Sequence, residues 1–287
     1  MKKILFLLSF VIFFTACSNQ ETTVYQHLYK VQNHQGHTVY VLGTNHQAKE
    51  IKHLDKKTEE IMDNSDILYT EIPMDLGKIQ VVQQKYMFTN SANDVLNDEQ
   101  MKRLEKVKEN YPSFQKVDYK KINLMYLSSI CEQEILSSLG YTSLGIDSYL
   151  YEHFQGDKKS LETIDFQCEL LARLSKYSSE MILESIENKK ESEEYCKELF
   201  ETYYQGTRED MNQFVTNVYK QYQTDEKAKY YYQNLVVKRN DHMIEEIEKM
   251  FDSQEVELVA VGVMHIAGDY GIISELKNRG YIVEEVK

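Results

Sequence analysis

Two stretches of the chain share one pattern. "VYVLGTNHQA" at 39–48 and "ELVAVGVMHI" at 257–266 are runs of apolar and β-branched residues that stop at a glycine, with a histidine three positions on. Apolar runs without polar alternation predict strands covered on both faces. Behind the first run, "LDKKTEEIMDNSD" (54–66) predicts an amphipathic helix, and "ILYTEIP" (67–73) predicts a second strand stopped by Pro73. Behind the second, "YGIISELKN" (270–278) predicts a helix with Gly280 near its stop, and "YIVEEV" (281–286) another strand. Both units leave enough chain between their strands for a parallel crossover. The expected fold class is α/β, with a central sheet assembled from N- and C-terminal β-α-β half-units that match as a pseudo-repeat.

Between them, residues 78 to 250 read as a large and mainly helical insertion. "LNDEQMKRLEKVKENY" (96–111) offers Asn97 as an N-cap and Met101, Leu104, Val107 and Tyr111 along one face. Leu124, Leu127, Cys131, Ile135 and Leu139 form a second stripe. "DKKSLETI" (157–164) fits a short strand or an extended connector. Tyrosines at 203, 204 and 230–232 are expected to pack helices while their hydroxyls stay wet. No Pro/Gly linker divides the region, so residues 35–287 are expected to form one domain.

The first residues have a different character. "MKK" followed by "ILFLLSFVIFF" is too short for a mature membrane span and reads as a secretory signal over 1–16. Small residues just ahead of Cys17 resemble a bacterial lipobox, which implies lipidation at Cys17 and a membrane-anchored, extracytoplasmic protein. Residues 17–34 then read as a tether. The chain carries 33 basic and 46 acidic residues, a formal charge of −13. Cleavage after residue 16 removes two lysines and deepens that to about −15, a surface that repels phosphate backbones and argues against nucleic acid as a partner. Cys131, Cys168 and Cys196 are odd in number and contain no C-x-x-C, so buried thiols are expected rather than a disulfide framework.

The chemistry concentrates at the strand ends. Open α/β sheets collect ligands beyond the carboxyl ends of their strands, and there the glycines Gly43 and Gly262 would turn the backbone and bring His46 and His265 toward one crevice. Glu71 ends the strand that follows the first unit, and a buried acid there must be paired or ligating. Arg239, in "VVKRNDHMIEEIEKMF", could pair with Glu71 or steady an oxyanion. Two hydrogen-bonded histidines at strand ends would produce the same sequence pattern. The remaining histidines lack a partner at i+4, so no H-E-x-x-H site exists.

Taken in order, "VLGTNH", "LYTEIP", "GID" (145–147), "LETIDFQ" (161–167), "KRN" (238–240) and "VAVGVMHIAGDYGI" (259–272) resemble the TraB/GumN family, from about residue 37 to the C-terminus. That family is related to the TIKI metal-dependent peptidases and to ChaN-type and erythromycin-esterase-type folds. The resemblance implies that His46, His265 and Glu71 hold a divalent metal (Mn, Co or Zn), with Glu71 and Arg239 catalytic. It aligns Gly43, Gly262 and Gly268 with family glycines, and Asp147 and Gln167 with positions of unassigned role. The function it implies is an extracytoplasmic, metal-dependent hydrolase acting on a peptide or protein substrate. The alternative is a surface protein that captures a secreted peptide or a haem or metal compound without turnover.

Overall fold

The computed structural model describes residues 21–22 and 24–287. The expected signal segment and Cys17 lie outside the described residues. Six strands form the main sheet: β1 (Leu28–Gln32), β2 (Thr38–Thr44), β3 (Ile67–Thr70), β4 (Asp157–Ser160), β5 (Glu257–Gly262) and β6 (Ile282–Glu285). Their order across the sheet is β6-β1-β2-β5-β3-β4. The contacts β2–β5, β5–β3 and β3–β4 are parallel, whereas β1 runs antiparallel to both of its neighbours.

This is the α/β architecture expected, with one difference in how the halves combine. The two half-units do not sit side by side as separate half-sheets. β5, from the C-terminal unit, inserts between β2 and β3 of the N-terminal unit. All six of its residues are buried, as a strand covered by helices on both faces requires. The two strands that carry the G-x-x-H endings are therefore direct neighbours, with Gly43 opposite Val261 and Thr44 opposite Gly262.

Two strands lie where the sequence reads less clearly. β1 falls inside the stretch expected to be tether; "LYKVQ" lacks clean alternation, yet Leu28 and Val31 are fully buried. β4 arises from "DKKS" within the helical insertion and closes one edge, where Lys158 and Lys159 discourage edge-to-edge pairing.

The rest of the insertion is mainly helical, apart from a two-residue strand, Ser143–Leu144, paired with Gln47–Ala48. The helix Asp98–Val107 starts at Asn97 with a reciprocal capping box to Gln100. The helices Leu124–Ser138, Ile164–Tyr177, Lys189–Gln205 and Lys238–Met250 each bury apolar residues in the main core. A π-turn at Gln233–Val237 feeds directly into the last of these. Cys131, Cys168 and Cys196 are free and buried. Among the described residues, no helix is long and apolar enough to cross a membrane.

Candidate active site at the carboxyl ends of the central strands

Beyond the ends of β2, β5, β3 and β4 the chain gathers two polar clusters. The first is built on the loop after β2. Gly145 presses against this loop: its N–H donates to the His46 carbonyl at 2.9 Å, and the Ile146 N–H to the Asn45 carbonyl at 3.0 Å. A Cβ at Gly145 would collide with the Asn45 carbonyl, so only glycine permits this approach. The helix Ile146–His153 begins there and delivers Asp147, whose Oδ2 accepts from His46 Nδ1 at 2.9 Å. Tyr203 donates its hydroxyl to the Gly43 carbonyl at 2.8 Å, and Tyr204 donates to the Gln47 carbonyl at 2.7 Å. These hydroxyls were expected in water; instead they fasten the loop that carries His46.

Burial works against a charge on His46, but Asp147, by its charge and hydrogen bond, and Glu71 outweigh it and raise the imidazole to about 9. His46 is thus protonated at neutral pH, and its side chain retains 14% exposure. Three buried polar atoms on or beside this loop have no hydrogen-bond partner: Thr44 Oγ1, Asn45 Nδ2 and Asp147 Oδ1.

The second cluster is deeper and complete. β3 and β4 stay paired past their ends, the Glu162 N–H donating to the Glu71 carbonyl at 2.8 Å, so Glu71 and Glu162 emerge side by side. Arg239 neutralises both. Its Nη2 donates to Glu71 Oε2 at 2.6 Å and to Glu162 Oε2 at 2.8 Å, and its Nε to Glu162 Oε1 at 2.9 Å. The other Glu71 oxygen accepts the Gly262 N–H at 2.7 Å. Gln167 donates to both carboxylates, at 3.2 Å to Glu71 and 2.8 Å to Glu162.

His265 lies on the single helical turn Val263–Ile266 that directly follows β5. Its Nδ1 donates to Asn240 Oδ1 at 2.6 Å; the Asn240 amide orientation is fixed because its Nδ2 donates to the Tyr270 carbonyl. The Nε2 lone pair therefore accepts from Arg239 Nη1 at 3.1 Å. Burial, reinforced by the charge of Arg239 and opposed by Glu71, lowers His265 to about 3, so it is neutral. Burial would raise Glu71, but Arg239 and the neighbouring donors hold its carboxyl well below the usual carboxylate range.

All four residues picked from the sequence thus converge at one end of the sheet, on elements far apart in the chain. The TraB/PrgY/gumN family matches residues 27–285. The chain belongs to the TraB/PrgY/gumN family. No curated protein and no solved structure matches it.

The TraB/PrgY/gumN motifs acquire roles from this geometry. Gly43 sits against the second G-x-x-H turn, where a Cβ would come within 2.6 Å of Ile266 Cδ1. Gly268 holds φ at +81°, a conformation that excludes most other residues, and its N–H donates to Asn212 Oδ1. "GID" supplies Asp147, and "LETIDFQ" supplies both Glu162 and Gln167. Asn240 of "KRN" orients His265. Glu162 and Asn240 went unassigned in the sequence, although an acid in a motif that also carries Gln167 was the available signal.

The ligand set for a divalent ion is not assembled as such. Arg239 points its cation at the His265 lone pair, and the oxygens of Glu71 are engaged by Arg239, Gln167 and Gly262. A metal ligand must offer a lone pair, and a guanidinium at its centre repels a cation. Among the described residues, no group of three His, Cys, Asp or Glu side chains is placed to hold a metal ion. His46, His265 and Glu71 in this arrangement do not fit one.

Proposed function

We propose that this TraB/PrgY/gumN protein is an acyl-bond hydrolase, acting on peptides, whose reacting group is His46 held by Asp147. The observation that carries this reading is the set of unpartnered buried polar atoms beside that pair. A buried donor or acceptor left without a partner costs about 1–3 kcal/mol, and a bound ligand or water would recover it. Those atoms lie at His46, whereas the Glu71–Arg239–His265 cluster is saturated.

The chemistry follows general acid–base logic. Asp147 fixes His46 with Nδ1 protonated, so proton exchange runs through Nε2. His46, protonated at neutral pH, gives its Nε2 proton to the departing amine or alcohol and recovers one from the attacking water, while Asn45 Nδ2 can donate to the oxygen that gains charge. Glu71, Arg239, Glu162 and His265 form the rigid floor that sets the positions of the strand ends. Following the leader and Cys17, we place the activity outside the cytoplasm on a lipid-anchored chain with no nucleic-acid partner.

A second reading, capture of a peptide without turnover, is favoured by the completeness of the deeper cluster. The deciding experiment incubates the purified protein with a mixed peptide library, reads new termini by mass spectrometry and measures bound metal in parallel. New termini that vanish in His46→Ala and fall sharply in Asp147→Asn, without stoichiometric metal, support this reading. Peptide retained with no new termini would transfer the case to capture. Metal bound through His265 and required for cleavage would replace the proposed chemistry.

A further inference from the structure

A cleft opens beside the Glu162–Arg239 pair. Its volume of about 550 Å³ is within the range typical of small-molecule sites, and His46 does not line it. Its two walls are helical stripes. Phe166, Leu170 and Arg173 descend one side on the helix Ile164–Tyr177. Asn234, Lys238 and His242 form the other at successive four-residue steps, beginning in the π-turn that precedes the helix Lys238–Met250. Such π-turns are rare and concentrate at functional sites.

The two walls differ in chemistry. Leu161, Leu170 and Phe166 make one side apolar, and Phe166 remains 44% exposed, so its ring is free to contact a bound group. Arg173 and Lys238 are exposed cations on facing walls. Neither meets a carboxylate among the described residues, although the chain carries an excess of 13 negative charges. Lys238 is instead steadied by Asn234, its Nζ donating to Oδ1 at 3.1 Å. His242 donates Nε2–H to the Leu161 carbonyl at 3.2 Å and so ties the wall to the floor. Among the described residues, the only acid lining the cleft is Glu162, which Arg239 neutralises.

We propose that this cleft is a carboxylate-binding site that takes a ligand with an apolar flank, such as the C-terminal residue of a peptide. Arg173 and Lys238 hold the carboxylate from opposite sides, and Phe166 and Leu170 cover the apolar side chain. Arg239 has its donors committed and shapes the floor without binding the ligand. The site stands whether or not turnover occurs at His46.

The test is a calorimetric titration of the full chain in detergent with acetyl-Ala-Ala-Leu as the free acid and as its amide. The free acid is expected to bind at least about 10-fold more tightly, a difference of about 1.4 kcal/mol. Arg173→Gln/Lys238→Gln should erase that preference; both side chains are exposed, so the fold should be retained, which far-UV circular dichroism checks. His46→Ala should keep the preference unchanged. Equal binding of acid and amide, no binding of either, or a preference that survives the double variant overturns the proposal. Loss of the preference in His46→Ala also overturns it, because the peptide would then sit at the other cluster.

Discussion

His46 Nδ1 lies 2.9 Å from Asp147 Oδ2, across a join that only glycine at 145 allows. Against burial, this contact, helped by the charge of Glu71, raises the imidazole to about 9 from an ordinary value near 6.5. A histidine raised in the folded state stabilises fully below its unfolded value and loses that contribution as pH climbs through the folded value. The pair should therefore add on the order of 3 kcal/mol at pH 6 that is gone above pH 9. Asp147→Asn should flatten this alkaline decline in urea denaturation curves and bring the His46 ring titration, followed by NMR, back toward 6.5.

The acid side has the opposite sign. Burial and Arg239 lower His265 to about 3, and burial, opposed by the Tyr203 carbonyl, lowers His27 to about 4. The unfolded chain takes up protons at these sites below about pH 6.5 while the folded chain does not. Stability should fall on acidification with a slope approaching about 2.7 kcal/mol per pH unit for two protons. Glu71, depressed in the fold, adds to the loss below pH 4.5. Denaturation midpoints at pH 5, 6.5 and 9 should peak at the middle value; a curve still rising toward pH 9 would contradict the His46 linkage, and one no lower at pH 5 than at 6.5 would contradict the acid-side linkage.

Arg239 serves Glu71, Glu162 and His265 with one rigid fork. Arg239→Gln should cost about 3–5 kcal/mol, because two adjacent carboxylates are left buried and facing each other. Arg239→Lys keeps the charge but cannot reach all three partners, so it should still lower the denaturation midpoint. In either variant that folds, the His265 ring should titrate above 3 once the guanidinium charge is removed or displaced.

Gly145→Ala should destabilise the fold by about 1–3 kcal/mol through backbone overlap with Asn45. It should also move Asp147 away from His46, so the His46 titration shifts down without any change to either residue. Thermal denaturation and ring NMR read the two effects separately.

Tyr203→Phe removes one oxygen atom and leaves the Gly43 carbonyl without its hydroxyl donor. The expected loss is about 1–3 kcal/mol. Because Gly43 sits next to the loop of His46, any cleavage activity should fall with it, whereas Tyr230→Phe, at an exposed position, should change neither stability nor turnover.

The sheet and four of the site residues were legible because they rest on local signals. Apolar runs ending in G-x-x-H mark strand ends, and Glu71 and Arg239 are charges in places where burial demands a partner. Asp147 and Glu162 are different. Their roles depend on Gly145 meeting the His46 loop and on β4 continuing beside β3, which are facts of tertiary contact with no periodicity in the chain. The same holds for β1, whose mixed pattern reads as tether until its neighbours cover it. Arg239 pairs with Glu71, one of the two roles expected of it, and in doing so places its cation where the expected metal would sit.

The position of β5 has a consequence for how the molecule comes into being. β2 and β3 are not paired with each other; the strand that joins them is made only after residue 256. A chain emerging N-terminus first therefore holds two unjoined sheet fragments and exposed apolar edges until almost all of it is available. Contacts of such long sequence separation form slowly. Folding and completion of the site coincide in the last tenth of the chain, so a protein truncated before β5 has neither.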